Sequence, residues 1–176
     1  KKYILIGLLL IFSLKNAEIN PVAQGLGPLI KNPITKTSLQ IKRDDPDARW
    51  AVYGSPRLAA LLKPNGIDVL NGLQSVPNFE DLKILDPGNN YLDIYNRYAH
   101  ISLFYHPSIE NNIIFQLPEN KAALDRYTII IHPCNTKFQD LKIKYLLFTY
   151  RPTKEETSCL TLLHELGDFF IYKFID

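Results

Sequence analysis

The sequence lacks most of the features that disclose a chemistry. Its 176 residues contain no methionine, two cysteines and one tryptophan. The missing methionine leads us to expect a piece of a longer membrane protein, cut at or inside its last spanning helix. An excess of one charge is missing too. Twenty basic residues stand against 18 acidic ones, and no Lys/Arg run is interleaved with aromatics, so nucleic acid is not an expected partner. No repeat recurs at the spacing of solenoids or propellers. With 46% hydrophobic residues the chain is long enough for one globular domain with a real core.

Catalytic signatures are equally scarce. No G-x-S-x-G elbow occurs, and Ser55 is better used as a helix cap. "HELGD" at His164–Asp168 has the outline of a zinc-protease helix, but Asp168 stands where the second histidine belongs and Gly167 would break the turn between the ligands. "HPC" sets His132 near Cys134, yet paired short spacings for four zinc ligands are absent. "VYGSPRL" puts one glycine at a strand-to-helix turn, too few for a dinucleotide fingerprint, and Pro56 removes an amide donor. We therefore expect no catalytic residue, no metal and no cofactor within this chain.

What is present begins with "KKYILIGLLLIFSLK", an apolar run from Tyr3 to Leu14 between lysines. These twelve residues rise about 18 Å as a helix against a hydrocarbon core of about 30 Å. Snorkelling by Lys15 would extend the reach. A signal peptide ending near Ala17 fits the same outline, and no cysteine follows for lipid attachment. Either way the basic start on the cytoplasmic side sends the rest outward. We expect residues 1–18 to end a transmembrane helix or form a signal-like segment, 19–33 to be a Pro/Gly-rich stalk, and 34–176 to be one extracytoplasmic domain. Removal of residues 1–17 takes away Lys1, Lys2 and Lys15 and leaves 17 basic and 18 acidic residues. In an oxidising compartment Cys134 and Cys159 are expected to pair, two buried thiols being the alternative.

The domain reads as α/β. A short helix is expected before Pro46. Arg49–Tyr53 reads as a buried strand, Ser55 and Pro56 open a helix with Leu58, Leu61 and Leu62 on its apolar face, and Ile67–Leu70 is the next strand. That is a βαβ unit, parallel and right-handed. Short helices are expected over Phe79–Leu82 and Leu92–Tyr98, strands over Ala99–Tyr105, Asn112–Gln116, Tyr127–Ile131 and Tyr145–Tyr150, and a short helix after Asn135 or Thr136. Cys159, Leu162, Leu163 and Leu166 are spaced as a helix face, and "FFIYKF" closes as a strand. The sum is a mixed, mostly parallel sheet of five to seven strands with flanking short helices.

Residues 85 to 107, "LDPGNNYLDIYNRYAHISLFYHP", are the richest in polar and aromatic side chains. Asp86, Tyr95, Asn96, Arg97 and His100 are the ligand-binding candidates, because aromatic faces beside amides and a guanidinium suit sugars or phosphorylated headgroups. The same spacing also fits Tyr91, Tyr95 and Tyr98 packing a short helix on the sheet, with Arg97 answering Asp86 or Asp93.

Taken together, "NPVAQGLGPL", "WAVYGS", "NGLQSVP", "LDP" and "YNRYAH", with "HPC" and "SCL" near the end, resemble the C-terminal extracytoplasmic region of large bacterial polytopic membrane proteins. Those proteins are similar to multi-spanning, lipid-sugar-using (GT-C) glycosyltransferases. The resemblance implies a non-catalytic accessory domain on the outer side of a bacterial cell membrane, tethered by its N-terminal helix and contacting glycan or lipid-linked sugar. It carries no catalytic residue onto this chain, since the catalytic carboxylate of such enzymes usually lies on an early loop. The alternative is a secreted or envelope-anchored binding protein with a cleaved signal peptide.

Overall fold

Trp50, Ala51, Val52 and Tyr53 are all fully buried, so the strand they form is covered on both faces, as the unbroken apolar run "WAVY" requires. In the computed structural model, residues 6–7, 31–96, 100–109, 112–119 and 125–175 are described. Nearly all of the expected anchor or signal segment and of the stalk, and Arg97, lie outside them. Among the described residues no helix is long and apolar enough to cross a membrane. Lys1–Asn32 and Pro33–Asp176 are separate units, and the second holds the sheet.

Its strands are β1 (Arg49–Tyr53), β2 (Asp68–Val69), β3 (His100–Phe104), β4 (Ile114–Gln116), β5 (Arg126–Ile130), β6 (Tyr145–Phe148), β7 (Leu160–Leu166) and β8 (Phe169–Phe174). The helices are α1 (Pro33–Asp44), α2 (Pro56–Leu62), α3 (Phe79–Leu85), α4 (Leu92–Tyr95) and α5 (Lys137–Asp140). The fold is mixed α/β, with one eight-stranded sheet in the order β4-β5-β3-β1-β6-β8-β7 and β2 beside the start of β1. Strands β2, β3 and β6 run parallel to β1, and β5 parallel to β3. The flanks, β4 on β5 and β8 and β7 beyond β6, are antiparallel.

The βαβ unit forms as its local signals dictate. Pro56 occupies the first turn of α2, a 3-10 turn follows over Lys63–Asn65, and Gly66 closes it at φ 75°. Strand β2 then pairs Asp68 with Arg49 and Val69 with Trp50. Beyond it the chain leaves β1 and bridges to β3 through Gly72 and Ile101. Gly72 holds φ 105°, and a Cβ there would stand 2.7 Å from that of Ala59. Helix α2 therefore rests directly on this backbone.

Two expectations are corrected. The sheet has eight strands rather than five to seven, and Leu160–Leu166 is strand β7 rather than a helix. The hairpin explains both. Gly167 takes φ 66° as the first residue of a two-residue Gly-Asp turn, and β8 pairs along β7 with a register irregularity between Leu162 and His164. An inserted residue breaks strand alternation, so the leucines acquire three-to-four spacing without forming a helix.

The two faces are packed differently. On one, α3, α4 and α5 bury Leu82, Leu85, Tyr95 and Phe138 against Tyr53, Leu103, Ile129 and Phe148. On the other, Ile34 and Ile41 of α1 and Leu58, Ala59 and Leu62 of α2 pack on Trp50, Val52, Tyr145 and Leu147. Cys134 and Cys159 form a disulfide with their Cα atoms 5.7 Å apart. It ties the loop before β7 to the turn after β5.

Candidate functional site

Among the described residues, the face carrying α1 and α2 is only half covered. None of the buried residues in that core belongs to β3 or β5. Alternation along β3 turns His100, Ser102 and Phe104 to this side, and the parallel register sets them opposite Arg126, Thr128 and Ile130 of β5. Strand β4 adds Gln116 beside Thr128 and Ile114 beside Ile130. The result is three rows: a histidine with an arginine, then two hydroxyls and an amide, then an aromatic ring with two isoleucines.

A concavity of about 360 Å³ lies on this patch, walled by Gly54 and Pro56 at the start of α2 and floored by Ser102, Phe104, Arg126 and Thr128. Phe104 is 43% exposed, whereas Ser102 is 7% exposed. The ring offers an apolar face to a ligand, and the hydroxyls and guanidinium offer directional donors around it. A shallow site with a few convergent polar groups on rigid strands suits recognition of a polyhydroxylated molecule.

Two other polar clusters are already committed to the fold. At the amino ends of the parallel strands, Arg49 grips Asp81 with both terminal nitrogens, Nη1 standing 3.0 Å from Oδ1. The same Nη1 donates to the Leu141 carbonyl at 2.9 Å, and Nε stands 3.2 Å from Asp68 Oδ2. Asn78, which caps α3, donates to Asp81 Oδ2 at 2.7 Å. Burial works against the Arg49 cation, but Asp81 and then Asp68 outweigh it and hold its pKa above the ordinary value. Lys63, on the wall of the same cleft, is shifted down by burial, and Asp68 offsets part of that. With Asp81 saturated by Arg49 and Asn78, this cleft acts as a clamp on the strand ends.

At the carboxyl ends, Tyr105 donates to Glu155 at 2.8 Å and Tyr150 to the buried Glu156 at 2.6 Å. Glu156 also accepts the Thr153 N–H at 2.8 Å. Burial, followed by the Glu155 hydrogen bond, pushes the Tyr105 phenol up to about 12. His132 Nδ1 accepts the Cys134 N–H at 3.0 Å and its ring meets Tyr105 edge-on. Together with the disulfide these bonds pin the loop over residues 151–159. His164–Asp168 lie on β7 and its turn, not on a helix, and no group of three potential metal ligands occurs among the described residues.

Of the described residues expected to bind ligand, Asp86 and Tyr95 meet inside the fold, while His100 stands apart on the open face. Asp86 is 3% exposed and organises a turn, accepting the N–H groups of Asn90 and Tyr91 at 2.9 and 2.8 Å. Tyr95 is buried beside Phe79 and Phe115, its hydroxyl donating to Asn89 at 3.3 Å. Burial and then Asp86 raise its pKa. Asn96 caps α4 and is exposed, and Arg97 lies outside the described residues. Tyr91 and Tyr95 thus pack a short helix onto the sheet. His100 alone belongs to the open face, where Nδ1 accepts the Gln74 N–H at 3.3 Å and Nε2 stands 3.5 Å from Asp125.

Phe104, Ser102, Arg126 and Thr128 were not expected. A signal for Ser102, Arg126 and Thr128 exists in the sequence, though none for Phe104: "HISL" and "RYTI" alternate polar with apolar, while "WAVY" and "YLLF" are apolar throughout. Strands of the first kind are covered on one side only.

No curated protein and no solved structure matches this chain. Residues 28–176, most of its length, match the family described as Domain of unknown function (DUF7654), and the chain belongs to that family.

Proposed function

We propose that this chain is a non-catalytic, extracytoplasmic accessory domain of a glycosyltransferase-like, multi-spanning bacterial membrane protein, and that it holds a glycan or lipid-linked sugar on the open half of its sheet. The observation that carries the reading is the exposed Phe104 ring beside the Ser102 and Thr128 hydroxyls, in a concavity walled by the start of α2. An apolar ring face bordered by hydroxyl donors and acceptors matches the two surfaces of a pyranose, its C–H face and its rim of hydroxyls.

Other features support the remaining parts. The Cys134–Cys159 disulfide suits an oxidising compartment. The apolar run Tyr3–Leu14 between lysines suits attachment to a membrane. The carboxylates of Asp81, Asp86 and Glu156 accept hydrogen bonds that hold the fold, an arrangement suited to support rather than to proton transfer.

The test is calorimetric titration of the chain with oligosaccharides, beside Phe104→Ala. Because the ring is exposed, the variant should keep its stability to within about 0.5 kcal/mol. Its affinity should fall about tenfold or more, as for an aromatic anchor. Equal binding by wild type and variant would remove the ring from the site. A folded chain that binds no sugar would end the glycan reading.

A further inference from the structure

We infer that the sugar taken by the open face is anionic, carrying a carboxylate or phosphate that Arg126 receives; the inference rests on the glycan-holding reading above. Arg126 is the one charged residue among the described residues lining the concavity, and no acidic residue is among them. Two other arginines of the domain are matched, Arg49 to Asp81 and Asp68 and Arg151 to Glu165, while Arg43 and Arg57 make no ion pair with a described residue. Arg126 is exposed and makes no ion pair with a described residue. A guanidinium on a rigid strand, without an ion-pair partner among the described residues, presents its planar fork to an incoming oxyanion.

The register gives the ligand its direction. Ser102 faces Thr128, and Phe104 faces Ile130, four residues along β5 from Arg126. Strand rise separates the backbones at the two ends by about 13 Å. A ring stacked on Phe104 therefore places its neighbour over the two hydroxyls, with the charged substituent toward Arg126. The Ser102 side chain makes no hydrogen bond to a described residue, although the residue is 7% exposed, and it lines the concavity. The class is an acidic oligosaccharide, at least two rings long, bearing a uronate or a phosphate.

Calorimetry on the chain with a uronate-containing disaccharide, maltose 1-phosphate and neutral maltose tests this, beside Arg126→Gln. The expected result is about 10- to 100-fold tighter binding of at least one anion than of maltose, the range of a hydrogen bond to a charged partner. Arg126→Gln should abolish that preference, bringing the anions to the affinity the variant shows for maltose, with an unaltered thermal transition. The better anion identifies the source as a uronic acid or a phosphorylated sugar. Maltose binding as tightly as both anions, or a preference that survives Arg126→Gln, would overturn the inference and leave the glycan reading intact. Absence of binding by all three sugars would overturn both.

Discussion

The side-chain amide of Asn71 stands in for a strand residue beside Val52. Its Oδ1 accepts the Val52 N–H at 2.9 Å and its Nδ2 donates to the Val52 carbonyl at 2.8 Å. Strand β2 pairs with β1 at Arg49 and Trp50, and β3 meets β1 at Tyr53. The amide closes the gap between them in a place with no access to water. Truncation by Asn71→Ala should strand both Val52 groups and cost about 2–4 kcal/mol, read as a lower urea midpoint at unchanged slope. Asn71→Asp should also destabilise, since a carboxylate cannot donate to the carbonyl. A loss below about 0.5 kcal/mol for Asn71→Ala would show that the fold does not depend on this amide.

The disulfide closes a separation of 25 residues, for which the chain-entropy account gives about 3–4 kcal/mol. Replacing both cysteines by serine should lower the unfolding free energy by that amount. Thiol labelling of the unfolded wild-type protein before and after reduction should find no free thiol and then two, because the chain contains two cysteines. Unchanged stability in the double variant would mean that the contacts of Glu155 and Glu156 hold the loop unaided.

Alkaline pH should expose the buried phenols. Burial and then Glu155 raise Tyr105 to about 12, and burial, the largest cause in each case, raises Tyr53, Tyr127 and Tyr150 as well. Unfolded tyrosines titrate near 10. Above that pH the folded state holds more protons than the unfolded one, so stability is intact below about 10 and falls as pH rises. Spectrophotometric titration of tyrosinate should show several phenols ionising late, one fewer of them in Tyr105→Phe. Ionisation of Tyr105 with the free phenols, about 10, would contradict its contact with Glu155.

Local signals carried much of the architecture. Gly54 and Pro56 mark the β1–α2 boundary, "PNG" ends the helical segment, and "RWAVY" reads as a buried strand, because turn geometry and burial act within a few residues; Ser55 stands at the cap position but its side chain makes no capping hydrogen bond. With two cysteines only one intramolecular pairing exists. Strand β7 escaped because its identity depends on β8, and the register break within it imitates a helix face. Asp86 and Tyr95 looked like ligand contacts since a buried turn carboxylate and a core tyrosine have the same letters as exposed ones.

The candidate site marks the same division. Ser102 and Thr128 lie 26 positions apart in the chain and face each other because β5 docks beside β3 in one parallel register. The alternating letters of these strands determined that each has one apolar and one polar side. Which polar side stays open was decided only in three dimensions, by α1 and α2 packing over β1 and β6 and, among the described residues, leaving that side of β5 without a helix. A strand's alternation is set by its own backbone geometry, whereas coverage depends on where distant helices find apolar surface to bury.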